Sequence, residues 1–355
     1  MKTKLRVVDL FCGCGGASIG VVNSDHSVVA AVDANPIACS VYSQHIGIEP
    51  MCSDLTEING QTLLDHYGLR KDEIDIVVGC PPCQGFSSLK NTTNKDGNDE
   101  RNGLIDIFLK RVGELEPAGI IFENVSGIQS RANRHHLNRL VENVQTMGYS
   151  INKNLLVDAA DYGVPQHRKR IVVTGVKESK EAPALPPQQY FDPSKRTTEQ
   201  MPWKTVRSAI GDLPVLENGE IHATVPNHEA RLHSARVLTM IRSIPKDGGG
   251  RKSLPENLWL PCHKRISRGA ETVYGRLRWD QPSTTITSRC TTPSCGRFLH
   301  PDQDRAITIR EAARLQTFPD DFVFPNNREE SQRLVGNAVP PKLIEELLEG
   351  FREYL

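Results

Sequence analysis

A short apolar run at residues 5–11 delivers this chain directly into Gly13-Cys14-Gly15-Gly16. A strand that meets a glycine cluster and then a helix opens a strand–helix–strand unit. Glycine supplies the tight turn and lets the backbone come close to whatever lies beyond the strand end. The same rhythm continues. Residues 27–32 read as a second strand ending at Asp33, and 36–45 as a helix with Pro36 in its first turn. Residues 74–79, 118–122 and 171–176 read as further strands, with a helical pattern over 103–115. The expectation is an α/β fold: a mostly parallel, Rossmann-like sheet with helices on both faces.

The 355 residues exceed one typical domain of about 100–200. The pattern changes after Lys177, where Pro183, Pro186, Pro187, Pro193 and Pro202 crowd together. Residues 203–300 are poorly periodic, and helical patterning returns at 307–317 and 341–354. A larger domain of 1–178 plus 328–355 and a smaller, irregular one of 179–327 are therefore expected. The formal net charge is +0, yet residues 222–300 hold 13 Lys/Arg against 5 Asp/Glu. That asymmetry suits either a basic binding face or a solvated surface. No run of 18 apolar residues offers a membrane span. Met1-Lys2-Thr3-Lys4 leads straight into the first strand, and the nine cysteines are scattered, so a reduced, cytoplasmic setting is expected.

The dinucleotide fingerprint G-x-G-x-x-G fails because Ser18 stands at its third glycine, which counts against NAD or FAD. Asp33 ends the second strand, where an acid can hold ribose hydroxyls. Asp54 could accept from an adenine amino group. With Phe11 as an exposed aromatic, the set leans towards an adenosyl ligand over an ordinary tight turn.

A second constellation follows residues 74–79. In Gly79-Cys80-Pro81-Pro82-Cys83-Gln84, the prolines hold the chain extended and fix Cys83 at the sheet edge. A thiolate there could be a nucleophile. A redox pair, half of a zinc site and a merely buried thiol compete with that reading. The last is the reading for Cys80, and no second well-spaced pair supports a metal. Residues 87–102 are polar and long enough for a lid. Glu123 closes the strand 118–122 and would sit at the same edge, as a catalytic acid or a helix cap. In Gln166-His167-Arg168-Lys169-Arg170, alternation puts Gln166, Arg168 and Arg170 on one face, where the arginines could hold phosphate or a base carbonyl.

These segments together resemble the DNA (cytosine-5) methyltransferases. The likeness rests on Asp9-Leu10-Phe11-Cys12-Gly13-Cys14-Gly15-Gly16, Pro81-Pro82-Cys83-Gln84, Glu123-Asn124-Val125, Gln166-His167-Arg168-Lys169-Arg170, Arg310-Glu311-Ala312-Ala313-Arg314-Leu315-Gln316 and Gly336-Asn337-Ala338-Val339-Pro340. They stand in family order and span nearly all of the chain outside about 180–270. The resemblance implies a fold that binds S-adenosylmethionine through Asp9, Phe11, Gly13, Gly15, Gly16, Asp33, Asp54, Pro82, Asn337 and Val339, with no metal. It implies a catalytic set of Cys83, Glu123, Arg168 and Arg170 that methylates C5 of a flipped cytosine in a specific short duplex DNA sequence, through a covalent Cys83–C6 adduct. Gln84, Ser87, Arg101 and Gln166 would lie near the DNA, and Arg251, Lys252, Lys264, Arg265 and Arg268 would contact phosphate or guanine from a target-recognition region. A prokaryotic monomer is expected, with a cognate restriction endonuclease as a conceivable companion. A transfer-RNA methyltransferase and a catalytically dead DNA-binding regulator are the rivals. The first lacks its Cys-Phe-Thr tripeptide here, and the second is opposed by intact Cys83, Glu123 and Arg168.

Overall fold

The computed structural model describes residues 4–82, 103–152, 155–179, 181, 183–261 and 272–355. It divides into two compact units. The first comprises Met1–Tyr162, Lys169–Gln188 and Ala338–Leu355; the second comprises Gly163–Arg168 and Gln189–Asn337. These edges fall near 188 and 337, against the 178 and 328 expected from sequence. The helix Arg328–Asn337 thereby belongs to the second unit.

The first unit is built on an eight-stranded sheet. Its strands are β1 Arg6–Leu10, β2 Ser27–Asp33, β3 Met51–Cys52, β4 Ile76–Gly79, β5 Gly119–Val125, β6 Tyr149–Ile151, β7 Leu156–Asp158 and β8 Lys169–Lys177. Strands run in the order β3-β2-β1-β4-β5-β8-β6, and β7 also pairs with β8. The first five are parallel, whereas β8 runs antiparallel to β5, β6 and β7. The order reverses between β1 and β4. That is the switch point where two successive crossovers leave to opposite sides and open a crevice at the carboxyl ends of the strands. The glycine cluster follows β1 and Pro81-Pro82 follow β4, so both constellations read from sequence emerge there.

The strands are apolar on both sides, as a doubly covered sheet requires. Val8, Leu10, Val32, Val77, Ile120, Phe122 and Ile171 are all buried in one core cluster. Helix α1, Gly16–Asn23, packs on α10, Pro341–Glu349. A Cβ on Gly20 would lie 2.5 Å from the Pro341 carbonyl oxygen, so only glycine lets the two helices meet this closely. At the end of β4 a Cβ on Gly79 would lie 2.2 Å from the Phe108 ring, which itself packs on Phe122. Helix α2, Pro36–His45, starts where sequence placed it: Asn35 caps it by accepting from Ile37 N, with proline in the first turn.

The second unit holds short helices, among them α6 Val206–Ile210, α7 Ala235–Arg242, α8 Ile309–Leu315 and α9 Arg328–Asn337. One small core gathers Met240, Ile241, Ile244, Leu254, Tyr274, Leu299 and Ala306. Buried arginines do much of the tying in a unit with so little regular ladder. Arg276 donates to the carbonyls of Ile241, Ile244, His300 and Gln303 and pairs with Asp304. Arg297 donates to Gly248, Gly249 and Arg276. A guanidinium offers five donors in a fixed fork, enough to satisfy several loop carbonyls at once. Both arginines belong to the basic excess at 222–300, so part of that excess is internal scaffolding and does not form a face. Among the described residues, no helix is long and apolar enough to cross a membrane.

Candidate active site

The turn after β1 is strained. Phe11 takes φ +62°, a left-handed conformation that is costly for a bulky residue, and Gly13 (+55°) and Gly15 (+98°) follow it there. The two glycines are needed for different reasons. A Cβ on Gly15 would come within 2.9 Å of Ile46, so this position serves packing. A Cβ on Gly13 would meet no atom within 4 Å, so open space lies above it. Gly13 N donates to Asp33 Oδ2 (2.8 Å) and Asn35 N donates to Oδ1 (2.9 Å), which aims the strand-end carboxylate at the glycine turn. Burial raises the Asp33 pKa, against those two backbone donors.

Asp9 lies just below this turn and is 1% exposed. Ser18 Oγ donates to Asp9 Oδ2 (2.6 Å) and also contacts the Tyr42 hydroxyl (2.8 Å). Among the described residues no hydrogen-bond partner meets Asp9 Oδ1. Burial pushes the Asp9 carboxyl up to about 7, with the Ser18 hydrogen bond pulling the other way and the Asp33 charge adding to the rise. Sequence reading assigned Tyr42 no role and named Ser18 only as the residue that breaks the dinucleotide fingerprint. The signal for Ser18 was the broken fingerprint itself: a hydroxyl replaces a glycine because a buried carboxylate needs its proton. Asp54 is exposed and accepts from Thr56 N and Oγ1, both at 2.8 Å.

The open space over Gly13, the unmet Asp9 oxygen and the strand-end Asp33 suit a ligand with a cationic group and a ribose. S-adenosylmethionine has both, so the residues present fit that cofactor.

At the end of β5, Glu123 (6% exposed) faces Arg170 of β8, with Arg170 Nε 2.8 Å from Glu123 Oε1. The Asn124 side chain donates to the Pro81 carbonyl (3.3 Å), which ties the segment after β4 to the end of β5. Sequence reading quoted Asn124 only within the Glu123-Asn124-Val125 motif and gave it no role. Pro82 is exposed. Cys80 is half-buried and not the fully buried thiol expected, because it lies just past the covered part of β4. Cys83, Gln84, Ser87 and Arg101 lie outside the described residues, as do Lys264, Arg265 and Arg268.

The expected common face of Gln166, Arg168 and Arg170 resolves into separate sets of partners. Gln166 is buried in the second unit; its amide nitrogen donates to Gln316 Oε1 (2.8 Å) and its oxygen accepts from Ile286 N (2.9 Å). Arg168, also buried there, donates to the carbonyls of Ile286 and Gly336. Asn337, next to Gly336, is exposed at the end of α9, whereas Val339 is buried in the first unit. Arg251 is 6% exposed and stacks over Trp259, its guanidinium 5.6 Å from the ring centroid; Lys252 is exposed. Packing on an aromatic face is where the planar guanidinium of Arg251 goes, in place of solvent.

The profile of the C-5 cytosine-specific DNA methylase family matches residues 5–352. The chain belongs to that family. It is 35% identical over 347 residues to the Type II methyltransferase M1.HphI of Haemophilus parahaemolyticus, covering 98% of this chain and 86% of the relative. It is 34% identical over 360 residues to the Type II methylase M.HgiDII of Herpetosiphon aurantiacus, covering 98% and 97%. Among solved structures, a DNA modification methyltransferase encoded within an E. coli prophage superposes with a TM-score of 0.74 at 26% identity, over 99% of each chain. The S. pombe Dnmt2 methyltransferase, at 17% identity and a TM-score of 0.61 over 98% and 97% of the chains, shares the fold. The methylase's sheet, with its order reversal between β1 and β4, is thus the S-adenosylmethionine-dependent methyltransferase architecture.

Proposed function

We propose that this methylase transfers a methyl group to C5 of a flipped cytosine within a specific short duplex DNA sequence, through a covalent adduct of Cys83 with C6. The observation that carries the reading is the Glu123–Arg170 pair at the sheet edge, tied by Asn124 to the segment that leads into Cys83. Likeness to Type II methyltransferases supports a role in restriction and modification. The setting is a bacterial cytoplasm, with the chain acting as a monomer.

Asp9, Phe11, Gly13, Gly15, Gly16, Asp33, Asp54, Pro82, Asn337 and Val339 hold S-adenosylmethionine, which supplies an electrophilic methyl on a sulfonium. C5 of cytosine is a poor nucleophile. The Cys83 thiolate adds to C6 and makes C5 enamine-like, able to take up the methyl group. Glu123 hydrogen-bonds N3 and the amino group of the base and favours protonation at N3 as the adduct forms. Arg170 holds the Glu123 carboxylate and adds positive field for the thiolate; Arg168 supports the segment before Asn337. Loss of the C5 proton and cleavage of the Cys83–C6 bond then free the product. The base must leave the stack for C6 to be reached, at a cost of about a few kcal/mol, and Gln84, Ser87 and Arg101 act near the DNA. The second unit reads the target, with Lys252, Lys264, Arg265 and Arg268 on phosphate or guanine, while the first unit carries the chemistry.

The test is methyl-sequencing of plasmid DNA from cells expressing the chain or its Cys83→Ser variant. The expected result is 5-methylcytosine at one short motif with the parent chain and none with the variant. Methylation that survives in the variant sinks the mechanism, and unmethylated DNA from the parent sinks the reaction.

A further inference from the structure

The segment that follows β5 carries positive charge used by neither the fold nor the site above. From Asn124 to Val141 the chain has Arg131, Arg134 and Arg139 and no Asp or Glu. Arg139 is paired with Asp106. Arg131, Arg134 and His135 are exposed, and among the described residues neither Arg131 nor Arg134 makes an ion pair. Helix α5, Arg134–Thr146, opens on Arg134-His135-His136 with no acid in its first turn and no side-chain cap. Cations at that end oppose the helix dipole by about 0.3–1 kcal/mol each, so these residues are not there to stabilise the helix. A local rule broken without a compensating interaction marks a functional position.

Placement supplies the partner. β5 ends in Glu123-Asn124-Val125, and one short turn, Ser126–Gln129, separates it from this basic stretch. The basic stretch therefore begins just beyond the strand end that carries Glu123. We propose that Arg131 and Arg134 form a phosphate-binding patch for the backbone of duplex DNA, in the first unit and outside the recognition segment. The inference rests on the reading that duplex DNA is the substrate. Exposed arginines facing a polyanion gain affinity by releasing condensed counterions, and they carry no sequence information.

The experiment is equilibrium binding of a labelled mixed-sequence duplex to the full chain across a range of salt concentrations, for the parent and for an Arg131→Gln, Arg134→Gln double variant. Both side chains are exposed, and unchanged melting and unchanged S-adenosylmethionine affinity certify the fold. The expected slope of log K against log salt is shallower in the variant by about 1.8, roughly 0.9 for each phosphate that is no longer neutralised, with the methylated motif unaltered. A slope equal to that of the parent overturns the patch while leaving the DNA-methylating reading intact, and so does an affinity decrease that is the same at every salt concentration. A parent chain whose duplex binding has no salt dependence overturns both.

Discussion

Arg170 stands one diagonal step from Glu123 across the antiparallel β5–β8 pair, with its Nε 2.8 Å from the carboxylate. Glu123 is in register with Val172, and Arg170 with Val125, so the two side chains share one face of the sheet. Both are nearly buried. The contact is an ion pair by distance, and Glu123 Oε1 makes no hydrogen bond among the described residues.

Glu123→Gln keeps the shape and removes the charge. The single-turnover rate of methyl transfer is expected to fall about 10²–10⁴-fold, while duplex affinity is retained. Rapid-quench kinetics beside fluorescence anisotropy measure the two. Equal losses in both would assign the pair a structural role only.

Cys83→Ser replaces the proposed nucleophile with a hydroxyl that is not ionised at neutral pH. A duplex carrying 5-fluorocytosine at the target is expected to form a covalent complex with the parent chain and none with the variant, read as a band that survives denaturing electrophoresis. A trapped variant would move the nucleophile elsewhere.

The second unit carries a buried acid–base group with a clear pH signature. Burial alone would raise the Glu311 pKa, but Arg305, paired at 2.7 Å, holds it at about 2, below its ordinary 4.5. A lowered carboxyl pKa stabilises the fold above 4.5, and that stability is lost as pH falls towards 2. Glu311→Gln strands the buried Arg305 and is expected to cost about 3–5 kcal/mol at pH 7. The gap between parent and variant in chemical denaturation should narrow below pH 4.5 and be small near pH 2. A gap that is constant with pH would show that the ion pair contributes nothing.

Gly336 precedes Asn337 and passes close to a neighbouring backbone: a Cβ there would lie 2.2 Å from the Thr287 carbonyl carbon and 2.3 Å from Ser288 N. Backbone atoms cannot swing aside, so Gly336→Ala is expected to destabilise the chain by about 1–3 kcal/mol. Unchanged denaturation midpoints would mean that α9 shifts freely.

Local chemistry made much of this protein legible from sequence. Apolar runs ending at glycine, proline or an acid announced β1, β2, β4 and β5, and Asn35 with Pro36 announced α2, because capping and strand burial act over a few residues. Where β8 runs was not legible. Its apolar pattern is the same in either direction, and only its pairing with β5 makes it antiparallel and brings Arg170 to Glu123. Charge misled for the same reason. Arg251, Arg276 and Arg297 count as basic residues in any window of sequence, yet in the fold they stack on Trp259 or donate to loop carbonyls. Gln166 likewise reads as a polar surface residue and ends in a buried network with Gln316. Sequence by itself determined the strand–glycine–helix opening, the order of the motifs and the family they signal, since each depends on neighbours along the chain. Tertiary structure alone decided which arginines face solvent, which carboxylate each meets and which oxygen of Asp9 has no partner among the described residues, since partners distant in sequence compete for every buried donor and acceptor.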